Sequence, residues 1–290
     1  MDWKRRFLAA TAIGLLVTSS ALAGRGKPDT APNELPVEIY NGYLIVLEVG
    51  AGSLQGLRFL LDTGTSITSI DRRVAKKLGI IGEQTKVFNF DKFVPAEWAQ
   101  LPEIAFGPER VSDVPVLIED LRNLRPGQKP LDGIIGLDLL RRKSFLVDYA
   151  ARRVVFGVTD QLSGMRAAPM REDETMLCVQ ADLDGRPVWM IADTGVRRTI
   201  LYERGQEAIL EKFRIQGRVL AHSMGGTVEN RLALALQLSL GGQDLDREVV
   251  FISPPAADKL DNVAGYLGPA SLNAKQIVFD FDANQLRWKK

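Results

Sequence analysis

The feature that most constrains this chain is that it states the same ordered pattern twice. Leu60 to Ile70 reads LLDTGTSITSI, and Ile191 to Ile200 reads IADTGVRRTI. Each is an apolar approach, then Asp-Thr-Gly, then a threonine four residues past the glycine, Thr68 and Thr199. The two aspartates, Asp62 and Asp193, are 193 − 62 = 131 residues apart. Residues 132–140, DGIIGLDLL, lie over residues 264–272, AGYLGPASL, at an offset of 268 − 136 = 132. Without a gap, SFLVDYAARRVVF then lies over QIVFDFDANQLRW, so Asp148 meets Asp280 and Phe156 meets Trp288. Between these blocks, IAFGPERVSDVPVLI resembles LSLGGQDLDREVVFI. A repeated, ordered set of elements predicts two copies of one structural unit. A twofold arrangement of such copies brings equivalent loops together at the axis.

The repeated elements read mostly as strands. VEIYNGYLIVLEV, GLRFLLD, VPVLIED and SFLVDYA are short, rich in branched and aromatic residues, and bounded by Gly, Pro or Asp. Helical patterns are few and short, at residues 72–79, 135–142 and 203–213. The predicted class is mostly β: two closed β lobes related by a pseudo-twofold axis, with a few short helices. The predicted layout is an N-terminal tail over 24–35, a first lobe over 36–158, a linker over 159–174 and a second lobe over 175–290. The linker reading rests on the Gly, Pro and mixed charge of that stretch.

One Asp-Thr-Gly is a common turn sequence. Two at equivalent places are a chemical statement, because the axis would set Asp62 and Asp193 face to face. Two carboxylates held that close cannot both ionise cheaply, so one keeps its proton and the pair titrates together. Such a pair can draw a proton from one water and donate another to a substrate carbonyl. Gly64 and Gly195 lack Cβ, which lets backbone approach the carboxylates. Thr63 and Thr194 carry hydroxyls that can reach across the axis. The apolar residues Leu60, Leu61 and Met190 to Ala192 would desolvate the pair and favour the shared proton.

These residues resemble the retropepsin-like and pepsin-like aspartic proteases, and more closely the bacterial single-chain form with two tandem retropepsin-like domains. The resemblance rests on LLDTGTS, IIG at 134–136, IADTGVR and YLG at 266–268, and covers residues 36–290. It implies an aspartic endopeptidase with an extended peptide in a cleft between closed lobes. It implies catalytic roles for Asp62 and Asp193. It also implies that Ile135 and Gly136, with Ile134 before them, and Leu267 and Gly268, after Tyr266, brace the two active-site loops. Thr65 matches the hydroxyl residue that supports the first carboxylate, whereas Val196 departs from that pattern in the second. The resemblance further implies a hairpin flap. His222, Met224, Gly225 and Gly226 read as a glycine-tipped flap in the second lobe. The stretch from Phe88 to Trp98, with Phe90 and Phe93, has no glycine pair. Val196 and that first flap motivate a second reading, a peptide-binding module with little turnover on the same scaffold.

Composition narrows the alternatives. The formal net charge is +1, so there is no electrostatic footprint for nucleic acid. One histidine and one cysteine cannot make a His/Cys zinc site, and neither a metal nor another cofactor is expected. His222 lacks a nucleophile-elbow partner and reads as a loop residue. Cys178, in Met-Leu-Cys-Val, reads as a small buried hydrophobe. Lys4, Arg5 and Arg6, an apolar run from Phe7, and Ala21-Leu22-Ala23 before Gly24 form the layout of a secretory signal peptide over residues 1–23. A periplasmic or secreted protein follows, without stable membrane insertion after cleavage. Its partner is a peptide or protein substrate, and the internal pairing predicts a monomer. N-terminal sequencing of the exported protein is expected to begin at Gly24; retention of Met1 would mark an uncleaved anchor.

Overall fold

The computed structural model describes residues 33–89, 92–157, 162–173, 176–203, 213–223, 226–235, 237–252 and 263–290. The signal segment lies outside the described residues, as do Phe90, most of the helix expected at 203–213, and Met224 and Gly225. The protein is mostly β.

In the first half the strands are β1 (Glu34–Pro36), β2 (Glu38–Tyr40), β3 (Leu44–Ala51), β4 (Leu54–Leu61), β5 (Ser69–Asp71), β6 (Glu83–Asn89), β7 (Lys92–Phe106), β8 (Glu109–Glu119), β9 (Gly133–Ile135), β10 (Phe145–Asp148) and β11 (Arg153–Phe156). In the second they are β12 (Arg166–Asp173), β13 (Met176–Leu183), β14 (Arg186–Ala192), β15 (Thr199–Tyr202), β16 (Arg214–Ser223), β17 (Gly226–Leu234), β18 (Leu238–Leu240), β19 (Gln243–Asp244), β20 (Glu248–Ile252), β21 (Gly265–Leu267), β22 (Gln276–Asp280) and β23 (Gln285–Lys289). Helices α1 (Arg72–Leu78), α2 (Leu137–Leu140) and α3 (Pro269–Leu272) punctuate them. Two of the three helical patterns in the sequence therefore form. The start of α1 is set locally: the Asp71 carboxylate caps it by accepting from Arg73 N at 2.9 Å. Its end is set by Gly79, whose φ of 67° is left-handed.

The same strand order occurs in both halves. The first runs β3-β4-β9-β5-β8-β7-β6, and the second β13-β14-β21-β15-β20-β17-β16. In each, one short strand lies between two that precede it in sequence. β9 is parallel to β4 and antiparallel to β5, and β21 is parallel to β14 and antiparallel to β15. Each sheet folds back on itself. β3 also pairs β7 through Gly50–Ala105, and β13 pairs β18 through Ala181–Leu240. One continuous strand, β7, serves where the second half uses β17 and β18.

Six strands join the halves in the order β1-β11-β10-β22-β23-β12. The central ladder pairs Phe145 with Phe279, Leu146 with Val278 and Val147 with Ile277. Under the 132-residue offset read from the sequence, Phe145 corresponds to Ile277 and Val147 to Phe279. The ladder therefore maps onto itself, and a local twofold passes through Leu146 and Val278. Residues 166–173, inside the stretch read as linker, form β12. The first half of that strand pairs β23 and the second half pairs β13. The joining segment is structural because its extended backbone completes two sheets at once, a role that Gly and Pro content does not signal.

One apolar core runs through both halves and the joining sheet. Phe145 is fully buried and stacks on Phe279 with ring centroids 4.8 Å apart. Phe145→Ala is expected to lower the free energy of unfolding by about 3–5 kcal/mol, read from urea denaturation. A loss under 1 kcal/mol would mean that the joining sheet is not part of the cooperative core.

Candidate active site

The two Asp-Thr-Gly turns leave the ends of β4 and β14 and meet across the local axis. Four hydrogen bonds lock them. Thr63 N donates to Thr194 Oγ1 at 3.0 Å and Thr194 N donates to Thr63 Oγ1 at 3.1 Å. Thr63 Oγ1 donates to Ala192 O at 2.7 Å and Thr194 Oγ1 to Leu61 O at 2.8 Å. Both threonines are buried, at 1% and 2% exposure, and each hydroxyl serves both as donor and as acceptor.

The aspartates are apposed. Gly64 N donates to Asp62 Oδ1 at 2.9 Å, and a Cβ on Gly64 would stand 2.2 Å from Asp193 Cγ. Gly195 N donates to Asp193 Oδ1 at 2.6 Å, and a Cβ on Gly195 would stand 2.7 Å from Asp62 Oδ2. Each glycine thus binds its own aspartate and is pressed against the other. The two carboxyl groups are close enough to act on each other's titration. Asp193 is 5% exposed, while Asp62 keeps a partly open side.

Burial raises the pKa of both aspartates. On Asp62 the hydrogen bonds from Thr65 and Gly64 oppose the rise. Asp193 is pushed well above the ordinary carboxylate range, by desolvation first and then by the charge of Asp62. The local difference is one hydroxyl. Thr65 Oγ1 donates to Asp62 Oδ2 at 2.9 Å; the corresponding Val196 has no such group.

The inserted strands brace both loops. Asp62 N donates to Ile135 O at 3.0 Å, and Asp193 N to Leu267 O at 3.1 Å. Leu137 N donates to Thr65 O at 2.7 Å. Gly136 and Gly268 are needed for close approach: a Cβ would stand 2.7 Å from Ile67 C in one lobe and 2.4 Å from Arg197 O in the other. A second buried tie lies behind each loop. Thr68 Oγ1 donates to Asp138 Oδ1 at 2.8 Å, and Thr199 Oγ1 lies 3.0 Å from Ser271 Oγ. The recurring threonine was visible in the sequence, but its partners were not. At the 132-residue offset Asp138 lies over Ala270, and Ser271 takes its place one position later in α3.

The sheet face that carries Asp62 also carries the row Leu60–Ile134–Ser69–Leu117–Trp98, by register and alternation. The equivalent row beside Asp193 is Ile191–Tyr266–Ile200–Val250–Leu232. Tyr266 stands where Ile134 stands in the first lobe. Its ring meets Tyr202 edge-on at 5.8 Å, and burial pushes its phenol up to about 12. Tyr43, in the turn between β2 and β3, also feels the Asp193 charge. Tyr43 and Tyr202 were not legible as site residues, and Tyr266 was read only as part of the apolar–glycine brace. Cys178 is fully buried in the same apolar cluster as Tyr202 and Tyr266.

Both lobes carry a hairpin that runs past its third strand. β6 pairs β7 as far as Asn89–Lys92, whereas β8 leaves β7 at Glu97. β16 pairs β17 as far as Ser223–Gly226, whereas β20 leaves β17 at Arg231. The first hairpin forms without a glycine pair, and Phe88 and Phe93 pack edge-on near its tip at 5.5 Å. His222 and Gly226 lie on strands of the second; the His222 side chain, and Met224 and Gly225 entirely, lie outside the described residues. Among the described residues, no group of three or more His, Cys, Asp or Glu side chains could hold a metal ion, and no helix is long and apolar enough to cross a membrane.

Thr194→Val removes one donor and leaves Leu61 O and Thr63 N buried without their partner. It is expected to cost on the order of 3 kcal/mol of stability, read from urea unfolding; a cost below 1 kcal/mol would mean that these bonds do not hold the loops.

No curated protein matches the chain. A family model described as aspartyl protease matches residues 46–139, from within β3 to within α2. That stretch holds the first Asp-Thr-Gly turn and its brace, and it supports an aspartic protease-like family for this chain.

Proposed function

We propose that the chain is an exported aspartic endopeptidase of the tandem two-lobe form, acting on peptide or protein substrates as a monomer. The single observation that carries this reading is the apposition of Asp62 and Asp193, each against the glycine of the other's turn. Two carboxylates so placed, one ionised and one protonated, suit peptide hydrolysis through one water. The ionised carboxylate takes a proton from the water as the water oxygen bonds to the scissile carbonyl carbon. The protonated carboxyl gives its proton to the carbonyl oxygen. In the second half, the newly protonated carboxyl delivers its proton to the leaving nitrogen, and the other recovers one from a hydroxyl of the tetrahedral carbon. The C–N bond breaks, no covalent enzyme intermediate forms, and the pair returns to its starting charge. The two projecting hairpins are suited to closing over an extended peptide. Export follows from the signal-like N-terminus.

A peptide-binding module with little turnover is the rival reading, and the apolar Val196 beside Asp193 favours it. Product formation separates the two. Protein lacking residues 1–23, incubated with a peptide library from acidic to neutral pH, is expected to yield cleaved peptides by mass spectrometry. Asp62→Asn and Asp193→Asn are each expected to reduce cleavage at least 1000-fold, corresponding to about 4 kcal/mol of transition-state stabilisation, with far-UV circular dichroism unchanged. Saturable binding without product at any pH would support the rival; cleavage by either variant at the parent rate would sink the shared-water mechanism.

A further inference from the structure

The two halves of the pair are not equivalent, and the difference has a direction. Asp62 accepts from Gly64 N and from Thr65 Oγ1, both at 2.9 Å. Asp193 accepts from Gly195 N at 2.6 Å and from the backbone of Val196, but where Asp62 has the Thr65 hydroxyl it has the Val196 side chain, 8% exposed and packed with Cys178, Ile191 and Tyr266. The groups facing Asp193 are Asp62 from the other loop, Tyr43 from the β2–β3 turn, Tyr202 from β15 and Tyr266 from β21; Arg197, on its own loop, acts on Tyr43. The tyrosines are neutral, since burial pushes all three phenols up. Arg197 is exposed, so water and salt screen it.

We infer that Asp193 is the proton-holding acid of the pair and Asp62 the ionised base, and that the missing hydroxyl at Val196 sets the upper pH limit of the site. This assignment of roles rests on the proposed peptidase reading for its catalytic meaning, but not for its protonation states. Between its two titrations the pair carries one negative charge. That charge sits on Asp62, where the Thr65 hydroxyl meets it in addition to the backbone N–H groups that both aspartates receive. Forming the second charge requires ionising Asp193 beside an anion, within an apolar and phenolic wall and without the threonine hydroxyl that Asp62 has. The second titration is therefore displaced upward, in the direction found for Asp193. A raised upper titration keeps the one-proton form present toward neutral pH, where an exported enzyme can use it.

Two isosteric exchanges act on different titrations. Val196→Thr adds a donor that only the ionised Asp193 uses, so it stabilises the doubly ionised pair. The upper apparent pKa is expected to fall by about one unit, while the lower one stays. Thr65→Val removes a donor from Asp62, which is ionised in both the singly and the doubly charged pair. The lower apparent pKa is expected to rise by about one unit, while the upper one stays.

Carbon-13 NMR of protein labelled in its aspartate carboxyl carbons reads both titrations without any substrate, with Asp62→Asn and Asp193→Asn used to assign the signals. The expected spectrum at mid-range pH shows Asp62 ionised and Asp193 protonated. The kcat/KM profile on any cleaved peptide should move at its alkaline limb in Val196→Thr and at its acid limb in Thr65→Val. A protonated Asp62, or a folded Val196→Thr protein with the upper titration in place, would overturn the inference. Should Val196→Thr fail to fold, Thr65→Val decides alone, and movement of its upper rather than lower titration overturns it. Absence of cleavage with the two shifts present counts against the peptidase reading and leaves the protonation assignment standing.

Discussion

The rest of the site depends on the reciprocal hydrogen bonds between Thr63 and Thr194. Each threonine gives its hydroxyl proton to a carbonyl one strand end away and accepts the backbone N–H of its counterpart. The result is a closed, reciprocal set, buried where water cannot substitute. It fixes the separation of the two turns, and so of the two aspartates. A pair of carboxyl groups repels itself as soon as both are charged. A frame that does not yield is what lets desolvation and proximity act on their titration instead of being relieved by movement.

That frame is supported in layers. The inserted strands β9 and β21 hold the aspartate N–H groups through Ile135 O and Leu267 O. The glycines that follow them, Gly136 and Gly268, let the loop backbone pass at a distance that no Cβ would allow. Behind these, the Thr68–Asp138 and Thr199–Ser271 ties anchor α2 and α3 to the loops. Farther out, the β10–β22 ladder joins the halves on the same axis. The twofold is therefore expressed twice, in polar contacts at the site and in aromatic packing at the joining sheet. A shift in either would misplace the aspartates.

The two walls beside the pair differ more than the loops do. Positions Arg58, Asp132, Asp71 and Glu119 of the first lobe correspond by register to Trp189, Ala264, Tyr202 and Ile252 of the second. The first set is a polar network: Arg58 N donates to Asp132 Oδ2 at 3.0 Å and Leu121 N to Asp71 Oδ2 at 3.0 Å. Within it, Glu119 is buried and its carboxyl is pushed up by desolvation. In the second set, the rings of Trp189 and Tyr202 pack in one apolar cluster. Backbone symmetry is kept while side-chain chemistry diverges, which gives the two aspartates unequal surroundings in one frame.

The paired Asp-Thr-Gly turns, their apolar–glycine partners and the matched C-terminal strands were legible because each needs a particular residue at one position: a carboxylate, a hydroxyl, or no Cβ at all. From these the mostly β class, the apposed aspartates and the cross-axis threonines followed from the sequence alone. What the tertiary structure decided lay in contacts between residues far apart in the chain. It turned a stretch read as linker into β12, because two sheets needed an edge there. It built the first hairpin without a glycine signal, since seven cross-strand pairs hold it. It paired Thr199 with Ser271, one position off the linear alignment, although α3 starts at Pro269 and α2 at Leu137, which are aligned. It also set Tyr43, Tyr202 and Tyr266 around Asp193. Local pattern encodes backbone conformation and direction of burial; the surroundings of a charge depend on which distant strands stand beside it.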